Sequence, residues 1–333
     1  MKPPKFWSNP PQNPGFMARA LGPMGTLAAR ATARRVARQS EYQTDVPVIC
    51  VGNINLGGTG KTPTVIALVQ HYAQLGIRAF VISRGYGGSV RAATEVDPAR
   101  MSAAMVGDEP LLIAAFTRIW VCPDRVEAAR LAQEAGAEVI IMDDGHQNPA
   151  LQKDFSIIVV DAEVGFGNGC VAPAGPLREP VETGLARADL VVIIGPRDAQ
   201  AKVRQDWPAL GTLPNKNAHL APLEMGMDWQ GHRVLAFAGI GRPGKFFATL
   251  RGLGAELVQT ISLDDHQPLT NALLLRMRKE ADLKGAQLVT TEKDAVRLPP
   301  SMRAEVLTLP VRLSFDDTDA LAGLPRPPAN RQG

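Results

Sequence analysis

The residues best suited to chemistry fall in one stretch, Val48-Ile49-Cys50-Val51-Gly52-Asn53-Ile54-Asn55-Leu56-Gly57-Gly58-Thr59-Gly60-Lys61-Thr62-Pro63. A β-branched run enters a glycine-rich turn ending in Gly-Lys-Thr, and a helix-compatible apolar segment (Val65, Ile66, Leu68, Val69) follows. Strand, loop and helix in that order let backbone N–H groups surround a phosphate chain. Glycine lets the backbone approach the anion, and the helix N-terminus adds its positive dipole end. The pattern predicts that Asn55, Leu56, Gly57, Gly58, Thr59, Gly60, Lys61 and Thr62 wrap the phosphates of a nucleoside triphosphate. Lys61 is then placed to reach the β- and γ-phosphates, and the Thr62 hydroxyl to sit on Mg²⁺. A strict phosphate loop has glycine where this chain has Asn55, a residue that tolerates a left-handed backbone. The bland alternative, a glycine-rich turn with a surface lysine, does not account for the flanking strand and helix patterns.

Other candidates follow along the chain. The apolar run Val139-Ile140-Ile141-Met142 ends in Asp143-Asp144-Gly145, the arrangement by which a rigid strand delivers a carboxylate to Mg²⁺ beside a phosphate loop. The strand-like Ala79-Phe80-Val81-Ile82 runs into Ser83-Arg84-Gly85-Tyr86-Gly87-Gly88. This loop sits where open α/β sheets bind ligands, and Arg84 and Tyr86 can hold a phosphate or a sugar. Gly107-Asp108-Glu109-Pro110 opens a helix, and its two acids could simply favour the helix dipole. The stiff loop Pro173 to Pro180 carries Arg178 and Glu179, and the loop Leu263 to Pro268 carries His266, which alone reads as a surface histidine.

These residues need a scaffold, and 333 residues suit two domains. The 45% hydrophobic and 21% charged composition is that of a water-soluble globular chain. A net charge of +3 is too small to point to nucleic acid. Its distribution is uneven: residues 1–40 hold seven of the 36 basic residues and no acid, leaving 29 against 33 acids in the body. Three scattered cysteines form neither a metal spacing nor a disulfide framework, which fits a reducing compartment. No apolar run is long enough for a membrane span, and no signal peptide is visible.

Strands alternating with helical segments predict a mainly parallel α/β sheet with helices on both faces, of the P-loop NTPase kind. A smaller C-terminal α/β domain and an N-terminal amphipathic helix complete the expected architecture. The expected boundaries are a basic arm at 1–40, a P-loop domain at 41–205 and a linker at 206–230. A smaller domain at 231–325 and a disordered tail at 326–333 follow. From Phe16 to about Arg38 the pattern is helical with a break expected at Gly22-Pro23. Met17, Leu21, Met24, Ala28 and Ala31 form one stripe and Arg30, Arg34 and Arg38 another. Such a helix can lie on an anionic membrane or pack on the body with its basic face in water.

Taken together, the chain resembles the tetraacyldisaccharide 4′-kinases of lipid A synthesis. The resemblance rests on Gly57–Pro63, Ser83–Gly87, Gly107–Pro110, Asp143–Gly145, Pro173–Pro180, Phe237–Pro243, Asp265-His266 and Thr290–Asp294, in the family's order from about Pro47 to Leu298. It implies transfer of the ATP γ-phosphoryl group to the 4′-hydroxyl of a tetraacyldisaccharide 1-phosphate. The site implied is at the cytoplasmic face of the bacterial inner membrane, with the protein peripheral on an anionic surface and needing no protein partner. By the same resemblance Asp108 is the base and His266 orients it, Arg178 stabilises the transferring phosphoryl, and Glu179 joins Thr62 and Asp143 or Asp144 around Mg²⁺. Arg84, Tyr86 and Arg125 hold the lipid headgroup. The chain departs from the family pattern at His146, Asn148 and Gln267.

A rival class is a P-loop ATPase or GTPase switch at the membrane surface. Its guanine-reading Asn-Lys-x-Asp segment is echoed only in part by Thr291-Glu292-Lys293-Asp294.

Overall fold

The run Val48–Gly52 forms a strand buried along its whole length, at the middle of a nine-stranded sheet. A computed structural model describes residues 3–224, 226–265 and 267–328. In chain order the first unit contains α1 (Phe16–Val36), β1 (Val48–Gly52), α2 (Lys61–Gln74), β2 (Ala79–Ser83), β3 (Thr94–Glu95), α3 (Ala103–Val106), α4 (Asp108–Ile113), β4 (Ile119–Val121), α5 (Arg125–Glu134), β5 (Val139–Asp143), β6 (Phe155–Asp161), α6 (Val181–Leu185), β7 (Leu190–Ile194), α7 (Arg197–Asp206) and β8 (Asn215–Pro222). The second unit contains β9 (Arg233–Ala238), α8 (Pro243–Gly252), β10 (Glu256–Ser262), α9 (Asn271–Leu283), β11 (Gln287–Thr291), α10 (Glu292–Ala295), α11 (Pro300–Arg303) and β12 (Val306–Leu309). The chain then returns to the first sheet as β13 (Val311–Phe315).

The large sheet runs β13-β8-β7-β6-β1-β5-β2-β4-β3, parallel except for the edge strands β13 and β3. Strands β1, β2, β5 and β7 are buried at every position, as expected of near-continuous apolar runs covered on both faces. Alternate residues serve opposite cores: Ile49, Val51 and Ile141 pack with Val65 and Leu68 of α2. Val48, Ile140 and Met142 pack with Ala128 and Ala132 of α5. The smaller sheet, β10-β9-β11-β12, is all parallel. It buries Val234 and Ala236 against Phe246 and Phe247 of α8, and Leu235 and Phe237 against Leu274 and Met277 of α9.

Two sequence expectations are corrected here. Residues expected as a linker at 206–230 include a 3-10 turn (Pro208–Thr212) and β8, which pairs with β7. The smaller unit is inserted between β8 and β13, which pair from Val311↔Pro222 to Phe315↔Ala218. Leu223 N donates to Pro310 O at 3.0 Å, so the two connecting segments lie side by side. Asn-Lys-Asn-Ala-His-Leu-Ala-Pro has no β-branched run, and only Ala218 of β8 is fully buried, which hides the strand from hydrophobic periodicity. In α1 no break occurs at Gly22-Pro23; the helix is continuous with Pro23 inside it, and the Thr26 hydroxyl donates to Gly22 O at 3.1 Å.

The expected apolar stripe of α1 is divided: Leu21 and Ala28 are half-buried, while Met17, Met24 and Ala31 are exposed. The buried residues are Ala18 and Gly25, and Gly25 is so close to Val171 O that a Cβ would stand 2.6 Å from it. Phe16, Met17, Met24 and Leu27 point outward instead. In the expected tail, residues 329–333 lie outside the described residues, and 326–328 form no regular element.

Candidate active site

The loop from Asn53 to Gly60 is shaped by two glycines in the left-handed region, Gly57 at φ 120° and Gly60 at φ 100°. A Cβ on Gly57 or Gly58 would meet nothing within 4 Å, so their backbone faces open space. Asn53 Nδ2 closes the loop on Gly57 O at 3.1 Å. Asn55 does not use the left-handed backbone expected of it; Asp144 alone among described non-glycine residues has positive φ. The Asn55 side chain is buried and donates to Gly165 O at 3.0 Å, tying the loop down from beneath. Lys61 and Thr62 begin α2, so the helix dipole points its positive end into the loop.

Strand β5 lies directly beside β1, with Val51 opposite Asp143, which places both acids next to the loop. Asp143 is buried and accepts from Ser83 Oγ at 3.2 Å. Its Oδ1 and the Thr59 hydroxyl have no hydrogen-bond partner among the described residues. Burial, followed by the nearby charge of Glu109, pushes the Asp143 carboxyl up to about 7. Asp144, at φ 52°, sits 3.5 Å from Lys61 Nζ and accepts from Arg178 Nη1 at 2.8 Å and Nη2 at 3.3 Å. Burial opposes its charge, but Lys61 and Arg178 outweigh it and hold the carboxyl below its usual value. An orphaned carboxylate oxygen, a second carboxylate and the Thr62 hydroxyl form a hard-oxygen donor set that fits Mg²⁺. No group of three or more His, Cys, Asp or Glu side chains placed to hold a metal ion occurs among the described residues. A site of few protein ligands suits Mg²⁺, which keeps waters and takes substrate phosphates.

Glu179 does not stand on the cleft wall with these acids. Arg187 Nη2 donates to both its oxygens at 2.8 Å, and Gln147 Nε2 donates to Oε1 at 2.9 Å. Gln147 in turn accepts from Arg178 Nη1 at 3.2 Å. These bonds link Arg187 through Glu179 and Gln147 to Arg178. Sequence reasoning missed Arg187 and Gln147, which belong to no recognisable motif spacing.

Asp108 is 4% exposed at the first position of α4, with Oδ1 accepting from Glu109 N at 3.0 Å. Gly107 precedes it at φ 92°, where a Cβ would lie 2.7 Å from Tyr86 O, so the loop carrying Arg84 and Tyr86 is locked against the start of α4. From the second unit, Arg297 Nε approaches Asp108 Oδ2 to 3.9 Å and Lys293 Nζ approaches Glu109 Oε1 to 3.2 Å. His266 lies outside the described residues. Arg84 is exposed and Tyr86 is 76% exposed. Arg125 is buried, donating to Cys122 O at 2.9 Å and Asp143 O at 3.3 Å, so it braces the ends of β4 and β5.

One cleft of about 2460 Å³ between the two units contains residues 56–62, Arg84, Tyr86, Asp108, Arg125, Asp143, Asp144 and Arg178. That exceeds the roughly 300–1,000 Å³ of an ordinary ligand pocket and leaves room for two substrates. Ala28, Thr32 and Arg35 of α1 border the same cleft. The segment that echoes a guanine reader serves the fold instead. Its Asp294 is fully buried, with both oxygens accepting from Gly239 N at 3.1 Å.

Comparison with known proteins agrees with this geometry. The family described as tetraacyldisaccharide-1-P 4′-kinase matches residues 17–325. The tetraacyldisaccharide 4′-kinase of Dinoroseobacter shibae is 59% identical over 322 residues, covering 96% of each chain. That of a Jannaschia species is 53% identical over 317 residues, covering 95% of this chain and 96% of the relative. Among solved structures, LpxK of Aquifex aeolicus, crystallised in complex with ATP, superimposes with a TM-score of 0.73 at 24% identity. It covers 91% of this chain and 96% of its own. The phosphate loop, the paired acids beside it and the full-length match agree: this chain belongs to the tetraacyldisaccharide-1-P 4′-kinase family.

Proposed function

We propose that the protein transfers the γ-phosphoryl group of ATP to the 4′-hydroxyl of a tetraacyldisaccharide 1-phosphate, a lipid A precursor. The observation that carries this reading is that the phosphate loop, the acids Asp143 and Asp144, and the buried Asp108 line a single cleft. Backbone N–H groups from Asn55 to Thr62 and the Lys61 ammonium bind the triphosphate and fix its γ-phosphoryl group. Arg178, aligned by Asp144 and Gln147, meets the charge on the transferring group with a planar fork. Asp108 accepts the proton of the attacking sugar hydroxyl, and His266 orients it. Thr62 and Asp143, with Asp144 beside them, would hold Mg²⁺, which would supply positive charge against the phosphates. Glu179 acts behind these groups, keeping Gln147 and Arg178 in place. Arg84 and Tyr86 receive the headgroup from the exposed side, while Arg125 holds the strand ends beneath it.

The lipid acceptor requires a membrane surface. No helix among the described residues is long and apolar enough to cross a membrane. Helix α1 instead turns Phe16, Met17, Met24 and Leu27 outward, followed along the chain by Arg30, Arg34 and Arg38. Apolar side chains entering the headgroup region and arginines drawn to anionic lipid, about 1 kcal/mol each near the surface, favour peripheral binding at the cytoplasmic leaflet. The test is an assay with γ-labelled ATP and the tetraacyldisaccharide 1-phosphate. Label should appear on the 4′-position; hydrolysis without transfer to the lipid would contradict the reading.

A further inference from the structure

The second unit presents two cations, Lys293 and Arg297, to the start of α4. Lys293 is paired with Glu109 at 3.2 Å, with Asp265 of its own unit at 3.9 Å. Arg297 is fixed inside its own unit, donating from Nη1 to Gln267 O at 2.9 Å and from Nη2 to Gly239 O at 3.3 Å, and pairing with Asp294. Those bonds use the far end of the guanidinium. Its Nε–H is buried and without a hydrogen-bond partner among the described residues, yet Nε stands 3.9 Å from Asp108 Oδ2. A closing movement of about 1 Å would bring the pair into the range of a charge-assisted hydrogen bond, about 2.7–2.9 Å. An unmade hydrogen bond at a buried donor is costly, so the fold retains a drive to make it.

We propose that Arg297, seconded by Lys293, is a positioning residue: docking of the second unit brings Arg297 Nε onto Asp108 and turns that carboxylate toward the acceptor hydroxyl. The proposal rests on the reading of Asp108 as the base. Neither cation lies in the phosphate loop, so ATP binding and base orientation are separable. Asp294 is the element that makes this possible, because its carboxylate anchors both Gly239 N–H and Arg297. The Thr-Glu-Lys-Asp segment thereby acts as a mount for the docking face rather than as a base reader.

The experiment measures kcat and the KM for ATP in Arg297→Met, Arg297→Lys and Lys293→Met, each also combined with Asp108→Asn. Arg297→Met should lower kcat about 10-fold or more with the KM for ATP within about 2-fold, and Arg297→Lys should recover part of it. Lys293→Met should lower kcat by a smaller factor, about 3-fold. In the Asp108→Asn background neither change should reduce the residual turnover further, because the two groups act as one unit. Should Arg297→Met not fold, Lys293→Met decides on the same readout, since it removes no short contact inside its own unit. Wild-type kcat in the cation variants, or a loss that multiplies with that of Asp108→Asn, overturns the docking role while leaving the base intact. Wild-type turnover in Asp108→Asn itself instead removes the base reading on which the proposal stands.

Discussion

Asp143 and Asp144 are neighbours in sequence and are driven in opposite directions. Asp143 is buried on the cleft wall, accepts from a single hydroxyl, and is pushed up to about 7 by burial and by Glu109. Asp144 takes a left-handed backbone that turns its carboxylate to Lys61 and Arg178, which keep it ionised. One acid is poised to gain a cation and the other is already neutralised by protein charges.

The difference is testable by stability. A carboxyl whose folded pKa is raised contributes stability below its unfolded value, 3.8 here, and loses it as pH rises through about 7. Asp143→Asn should therefore raise the Tm of the metal-free protein at pH 8, with the gain disappearing near pH 4. The same variant should weaken Mg²⁺ binding. Equal Tm values for variant and parent across that range would contradict the unpaired state of Asp143.

Asp144→Asn has a different expected outcome. It leaves Lys61 and Arg178 without their shared anion and frees Arg178 to move. Turnover should fall about 10²-fold or more, as when a preorganised charge stabiliser is lost. Steady-state kinetics check this, and a kcat within about 2-fold of the parent would remove Arg178 alignment from the mechanism.

Gly60→Ala probes the phosphate loop. The backbone there is at φ 100°, and a Cβ would stand 2.6 Å from Ile194 Cδ1. Strain of about 1–3 kcal/mol is expected for a side chain at such a position. ATP affinity, measured by calorimetry, should fall together with Tm. Unchanged affinity would mean that the loop is not the triphosphate site.

For the membrane face, truncation of the arm is a poor probe. Trp7 Nε1 donates to Pro173 O at 3.2 Å and Asn168 Nδ2 donates to Phe6 O at 3.2 Å, so the arm braces the loop that carries Arg178. Replacing the outward side chains is cleaner. Met17→Glu with Met24→Glu and Leu27→Glu should abolish sedimentation with anionic vesicles while leaving Tm unchanged. Retained sedimentation would reject α1 as the docking face.

Much of this site was legible in the sequence because its parts are local. A buried strand, a glycine turn and a helix start are written in consecutive residues, and β5 announces its acids at its end. What was hidden depends on contacts far apart in the chain. Residues 215–222 and 311–315 are strands only because they pair across the inserted unit. That Arg187 bonds both oxygens of Glu179 follows from the fold and not from their spacing. Arg297 lies in no motif, and only the docking of two units brings it to Asp108. In α1 the helical period was readable, but which side faces the body was decided by the closeness of Gly25 to Val171.

In the proposed reaction Asp108 takes the proton from the sugar hydroxyl while the phosphate loop holds ATP. The most direct measurement of this is phosphoryl transfer by Asp108→Ala under saturating ATP and lipid, alongside ATP affinity of the same variant. With Asp108 as the base, kcat falls by about 10²–10⁴-fold while ATP affinity stays within about 2-fold of the parent. Wild-type turnover by Asp108→Ala would contradict that role.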